Sequence, residues 1–254
     1  MKLFLRLPMG VLLSSLFLYA KTAEGAAPLL NTLIDTNQQY INALQKEKQA
    51  AFTGTRKSYY KNGKLKEERS YINGIEEGMH VVWHRNGTKK SEVMFHNGKK
   101  EGIERKWYSN GQLKCEIPYK EGNRHGTETF WFKEGQKRLE YHFKAGKYDG
   151  ENISWYKNGK VREITHYKAG KKEGEHIIYA EDGSLLEKGR FKNDRFEGLH
   201  EAWYGNGQKK VEHTFRNGIR DGIEKVWYPD GRLQYEAEYH NGERRVRSIR
   251  QRGL

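Results

Sequence analysis

Apolar and polar residues alternate in short runs along most of the chain after residue 54, and glycine beside Asn, Asp or Glu closes each run. Period-two alternation bounded by such pairs predicts strands joined by tight turns. The pairs Asn62-Gly63, Asn86-Gly87, Asn110-Gly111, Glu134-Gly135, Asn158-Gly159, Asp182-Gly183, Asn206-Gly207 and Asp230-Gly231 recur every 24 residues. Two more glycine series, Gly74 to Gly242 and Gly78 to Gly222, keep that interval. A fixed period of this size marks a repeat array and overrides any domain count taken from length. Eight units fill residues 55–246.

The predicted fold is all-β: an elongated, single-layer antiparallel β-meander of eight two-stranded units of 24 residues, about sixteen strands in all. At about 4.8 Å between strands it would run roughly 70 to 80 Å. Asn-Gly and Asp-Gly between alternating segments predict a two-residue type I′ turn, with positive φ at both central residues. Around Asn86-Gly87 that register sets His84 against Lys89, Trp83 against Lys90 and Val81 against Glu92. One face then carries Tyr60, Tyr108, Tyr156, Tyr204 and their equivalents, the aromatic series from Tyr71 to Tyr239, and Leu or Val at Leu65, Leu113, Val161, Leu185 and Leu233. This is the more buried face. The other carries Trp83, Trp107, Trp131, Trp155, Trp203 and Trp227, with Lys90, Lys114, Arg138, Arg162 and Lys210 expected opposite them. Unit six departs most from the pattern, with Ala180, Lys188 and Asp194, and predicts a softer joint near 180–195.

Ahead of the array, Leu29, Leu30, Leu33, Ile34, Ile41 and Leu44 approximate a helical stripe after Pro28. A helix over 26–54 is read as a cap for the first open strand edge, with partner binding as the alternative use. Residues 1–25 hold Lys2, Arg6, an apolar run from Met9 to Ala20 and small residues near Ala23. That order reads as a cleavable secretory signal, so that no transmembrane span would remain; the alternative is a retained anchor, against which stands a run well short of the about 20 residues that cross a bilayer. Residues 247–254 form a basic tail.

Charge and cysteine narrow the function classes. With 47 Lys+Arg against 33 Asp+Glu the net charge is +14, a field that attracts anionic partners without choosing among them. Cys115 is the lone cysteine, so an intramolecular disulfide is excluded.

The unit WYxNGxxxxExxYxxGxxEG, clearest at 107–126 and 203–222, resembles the MORN-repeat variant of bacterial proteins often labelled YwqK-type antitoxins. The resemblance covers residues 55–246. It implies a twisted antiparallel sheet and a scaffold or a module for protein or lipid contact; an antitoxin or immunity partner is a further alternative.

Candidate chemistry is sparse. His80 and His84 stand roughly 13 Å apart along a strand, and His176 and His200 about two strand spacings apart, so no metal set is expected and the histidines read as solvated surface. Glu76-Glu77 and Glu67-Glu68 are adjacent in sequence and point to opposite strand faces or lie at turns, so no catalytic pair or cofactor is expected. The candidate binding face is the Trp series with Lys90, Lys114, Arg138, Arg162 and Lys210, where cations over indoles contribute about 0.5 to 1 kcal/mol each. Arg244, Arg245, Arg247, Arg250 and Arg252 form a candidate basic tail. The reading is an exported, non-enzymatic scaffold for another protein or an anionic envelope surface. An anionic polymer or lipid bound through the Trp/Lys/Arg columns is the alternative; nucleic acid is not expected, and oligomeric state stays open.

Overall fold

The computed structural model describes residues 26–50 and 52–245. Residues 1–25, read above as a secretory signal, and everything after residue 245 lie outside the described residues. Two compact bodies are present: one comprises the described residues up to Thr53 together with Ile72–Ile75, the other the remaining array. In the first, helix α1 runs Ala26–Ala50, Gly74 N donates to Phe52 O (2.8 Å) and Asn73 N to Thr53 Oγ1 (2.9 Å). Ile34, Tyr40, Ile41 and Leu44 of α1 are exposed. Among the described residues no helix is long and apolar enough to cross a membrane.

The array is one open antiparallel sheet of 21 strands, from β1 (Gly54–Tyr59) to β21 (Glu243–Arg245), each pairing with its chain neighbour. Sixteen are the expected two per unit. In four units the leading strand breaks one residue before the third-series glycine, as at β18 (Ile219–Arg220) and β19 (Gly222–Trp227), and β21 adds a last strand.

Two unlike turns alternate along it. At the first, Gly87 N donates to His84 O (2.9 Å) and His84 N to Thr88 O (2.8 Å), with Gly87 at φ 94°. This is a turn closed by a left-handed glycine bulge, not the type I′ turn expected at the Asn-Gly pairs. The cause is local. Asn86 Oδ1 accepts from Thr88 N (3.1 Å), which holds the asparagine outside the positive-φ region and leaves only the glycine there. The type I′ geometry occurs instead at the second glycine series, where Asn97 (φ 49°) and Gly98 (φ 73°) link the paired residues His96 and Lys99.

The wider turn moves the register. Trp83 pairs with Lys89, while Val82 pairs with Ser91, so Lys90 is an extra residue bulged out of the ladder. The same shift recurs at Trp107/Leu113, Trp131/Lys137, Trp155/Val161 and Trp203/Lys209. Lys90, Lys114, Arg138, Arg162 and Lys210 are therefore not the cross-strand partners of the tryptophans, and Leu65, Leu113, Val161, Leu185 and Leu233 do not share a face with the Phe95 series. Past the bulge the expected register returns, with Val81 opposite Glu92.

The buried face carries alternate residues of the trailing strands: Cys115 and Ile117 in β6 (Leu113–Lys120), Phe143, Phe191, Val93 and Ala237 at related positions. Unit six keeps the ladder intact. Phe191 pairs with Phe196 and Lys192 with Arg195 around Asn193 and Asp194, which takes φ 66° without glycine. Its carboxylate accepts from Lys172 N (2.8 Å), a bond glycine could not make.

Four members of the third glycine series, Gly126, Gly150, Gly174 and Gly222, leave little room for a Cβ. A Cβ on Gly222 (φ 129°) would sit 2.9 Å from Thr214 Cβ, whereas one on Gly111 (φ 88°) would meet open space. Gly111→Ala is expected to cost about 1 kcal/mol, the ordinary left-handed penalty, and Gly222→Ala up to about 3 kcal/mol. Urea midpoints of the two variants check this; equal losses would show that contact with Thr214 contributes nothing.

Candidate functional site

The Trp face is organised by lysines from the bulged corner. Lys89 Nζ lies 5.3 Å from the Trp107 ring, Lys137 Nζ 5.6 Å from Trp155, and Lys209 Nζ 5.8 and 5.9 Å from Trp203 and Trp227. Each lysine thereby reaches a tryptophan of the following unit. Each also meets a carboxylate three residues on: Lys89 with Glu92 and Lys137 with Glu140, both at 2.7 Å, and Lys209 with Glu212 in close contact. Carboxylate, ammonium and indole thus form a repeating, nearly neutral surface motif. A hollow of about 230 Å³ lies between Lys89, Trp107 and Gly111. The cations expected on the tryptophans lie elsewhere: Lys114 over Tyr108, Arg162 over Tyr156 and Lys210 over Tyr204, at 5.5 to 6.0 Å.

Those tyrosines staple one unit to the next. Tyr60, Tyr108, Tyr156 and Tyr204 each donate a hydroxyl proton to the backbone carbonyl of Trp83, Trp131, Tyr179 and Trp227, at 2.6 to 2.9 Å. Asn62, Asn86, Asn158 and Asn206 donate side-chain N–H to a carbonyl of the following turn. Unit six carries Ala180 and Asp182, which cannot donate either bond. Unit four lacks both bonds as well, with Phe132 and Glu134 at the same positions, so the missing staples do not set unit six apart, and its backbone ladder is unbroken.

On the opposite face runs a column invisible to hydropathy. His80, Glu104, Glu128, Asn152, His176, His200 and Glu224 occupy one position in successive units, and five of the seven are buried. His176 is 6 % exposed, contrary to the solvated-surface reading: its Nδ1 bonds Thr165 Oγ1 (2.9 Å), and its Nε2 and that of His200 lie 3.8 and 3.0 Å from Glu187 Oε1. Burial pushes the His176 pKa down, against the opposing pull of Glu163 and Glu187. His213 Nδ1 and Arg220 lie 2.8 and 3.2 Å from Glu224 Oε1. Cys115 is a buried free thiol whose pKa burial pushes up, which fits the structural role expected of it.

Two neighbours in this column behave oppositely. Burial pushes the Glu104 pKa up, but the hydrogen bond from Lys100 (2.8 Å) and the charge of Lys106 (3.3 Å) outweigh it and hold the carboxylate ionised below its ordinary range. Glu128, with 0 % of its surface exposed, has Arg124 Nε at 3.1 Å but neither oxygen is in hydrogen-bonding alignment with a donor, and burial raises its pKa.

Arg244 and Arg245 belong to β21, paired with Tyr239 and Glu238, and Arg244 lies over Tyr235 at 5.3 Å. They are part of the sheet rather than of a separate tail; Arg247, Arg250 and Arg252 lie outside the described residues. Among the described residues no group of three or more His, Cys, Asp or Glu is arranged to hold a metal ion.

Two-turn hairpin units on a fixed period, stapled through Tyr and Asn, define an open-sheet repeat module. The profile of the MORN repeat variant matches residues 52–73, 100–121, 124–145, 148–169, 172–193, 196–217 and 220–241, and the chain belongs to that family. No curated protein matches the chain. Residues 76–97 fall outside the matched segments, yet carry the same two turns and bulge.

The paired carboxylates generate a signed pH prediction. The Glu104 contribution is present above the ordinary carboxylate pKa and lost as pH falls through the lowered one; that of Glu128 is present below the ordinary pKa and lost as pH rises through the raised one. At about pH 7, Glu104→Gln is expected to destabilise by about 1 to 3 kcal/mol and Glu128→Gln to stabilise. Urea denaturation at neutral and acid pH measures both, and shifts of the same sign at neutral pH would refute the assignment.

Proposed function

We propose that this is an exported, non-enzymatic repeat protein whose sheet serves as an interaction scaffold for another protein or for an anionic envelope surface. MORN repeats are commonly protein- or membrane-binding modules, and repeat proteins of this kind are generally non-catalytic. The observation that carries the reading is the Trp face. Tryptophan anchors recur along a hydrogen-bonded sheet at a fixed interval, and large aromatics of this kind supply contact area with little conformational entropy to lose.

The charge pattern favours protein over polyanion on that face. Lys89, Lys137 and Lys209 are each already matched by a carboxylate, so few cations there are free to release counterions on binding. Export rests on the sequence pattern of residues 1–25.

Immobilised mature chain, residues 26–254, is expected to retain one discrete envelope protein at about 150 mM salt, where exposed charges more than ~8 Å apart are largely screened. Trp107→Ala combined with Trp155→Ala should abolish that retention. Retention lost between low and moderate salt and indifferent to both tryptophans would instead make an anionic polymer or lipid the partner.

A further inference from the structure

The period that builds the array also exposes where it is broken for reasons other than folding. On the face opposite the tryptophans, between units four and five, a cleft of about 330 Å³ opens. Tyr141, Tyr148 and Tyr167 wall it, with Tyr148 edge-on to Tyr141 at 5.6 Å and tilted against Tyr167 at 5.0 Å. Its floor is polar: Asn152 and Thr165, both buried, and Ser154, whose buried hydroxyl has no hydrogen-bond partner. Leu139, Ile153, Arg162 and Glu163 complete the lining, Glu163 Oε1 accepting from Thr165 Oγ1 at 3.2 Å.

Two of these residues, Tyr141 and Tyr148, have no tyrosine counterpart at their positions in other units, and a third leaves space where most units place a larger side chain. Tyr141 is the one phenol in a column that varies from Arg69 and Val93 to Gly189 and His213. Tyr148 stands where most have Lys or Arg, as at Lys100 and Arg220. Ser154, like Ser58 of unit one, stands where Val82, Phe130, Ile178 and Val226 place larger side chains. Periodic residues are explained by stacking unit on unit; these substitutions enlarge and line one cleft, and stacking does not require them.

We propose that this cleft binds a small neutral saccharide of about one or two pyranose rings, since its volume falls at the lower end of the ~300–1,000 Å³ of ligand pockets. The chemistry selects that class. Tyrosine walls accept the apolar C–H face of a sugar ring while their hydroxyls remain available. The polar lining mixes an acceptor-only carboxylate, a donor-only guanidinium, and an amide and hydroxyls that do both, which suits hydroxyls that must donate and accept at once. An anion would meet the Glu163 carboxylate, and a wholly apolar ligand would leave the Ser154 hydroxyl unpartnered. The proposal goes beyond the scaffold reading and uses the other face of the sheet, so the two can fail separately.

The test uses the full chain titrated with cellobiose, maltose and N,N′-diacetylchitobiose, followed by calorimetry and by saturation-transfer NMR on the sugar protons. Saturable binding of at least one of the three is expected. Ser154→Val and Tyr141→Val restore residues that the same positions hold in other units, so the fold is expected to survive, as thermal melting would verify. Each should weaken binding by about tenfold or more, and Tyr148→Lys, restoring the lysine of Lys100, should do likewise. Trp107→Ala should leave sugar binding unchanged. Lack of saturable binding to all three sugars, or affinity preserved in folded Ser154→Val and Tyr141→Val, would overturn the proposal.

Discussion

A sheet one layer thick has no opposing layer against which to bury its side chains, so each strand must find cover from its own neighbours along the chain. In this protein that cover comes from long side chains laid across adjacent units. Lys100 lies 4.8 Å from the Tyr119 ring, Arg124 5.3 Å from Phe143, Lys172 4.8 Å from Phe191 and Arg220 5.4 Å from Tyr239. The stems of these cations shield apolar surface while their heads stay near water. Where the series breaks, at Tyr148 and Phe196, ring packing replaces it, with Phe191 stacked on Phe196 at 4.2 Å. A basic, strongly polar chain can thus build a β array without a large apolar core.

The same constraint accounts for the buried polar column. Position for position, Glu104, Glu128, Asn152, His176 and Glu224 lie under the cations and rings of adjoining strands. Burial there is tolerable when partners are supplied, as Lys100 and Lys106 do for Glu104, and costly when they are not, as for the Glu128 oxygens. Stability is therefore distributed unevenly along an array whose backbone is nearly uniform. In a quasi-one-dimensional fold, such local differences decide where units separate first.

The two proposed functions fall on the two faces. The tryptophan face carries one nearly neutral motif at Lys89, Lys137 and Lys209, and in the proposed reading it meets an extended partner. The opposite face is individual from unit to unit, because its polar column and its ring-or-cation positions vary, and it can form a single localised cleft. Neither face needs the other to change shape, since the ladder between them is continuous hydrogen-bonded backbone.

The all-β repeat architecture, the unit length, the strand pairs and the Trp series were all legible in the residues, because glycine at fixed intervals and period-two alternation are local signals that survive without tertiary context. The turn type was not. Asn-Gly favours a type I′ turn when only φ is considered, but here the asparagine side chain caps its own turn and reaches the next one, and that second bond exists only once units are stacked. The resulting bulge displaced every cation from the tryptophan to which sequence alone assigned it. The buried polar column and the cleft also lay beyond reach, for the same reason: a Glu, His or Ser reads as surface until the folded neighbours that cover or face it are in place.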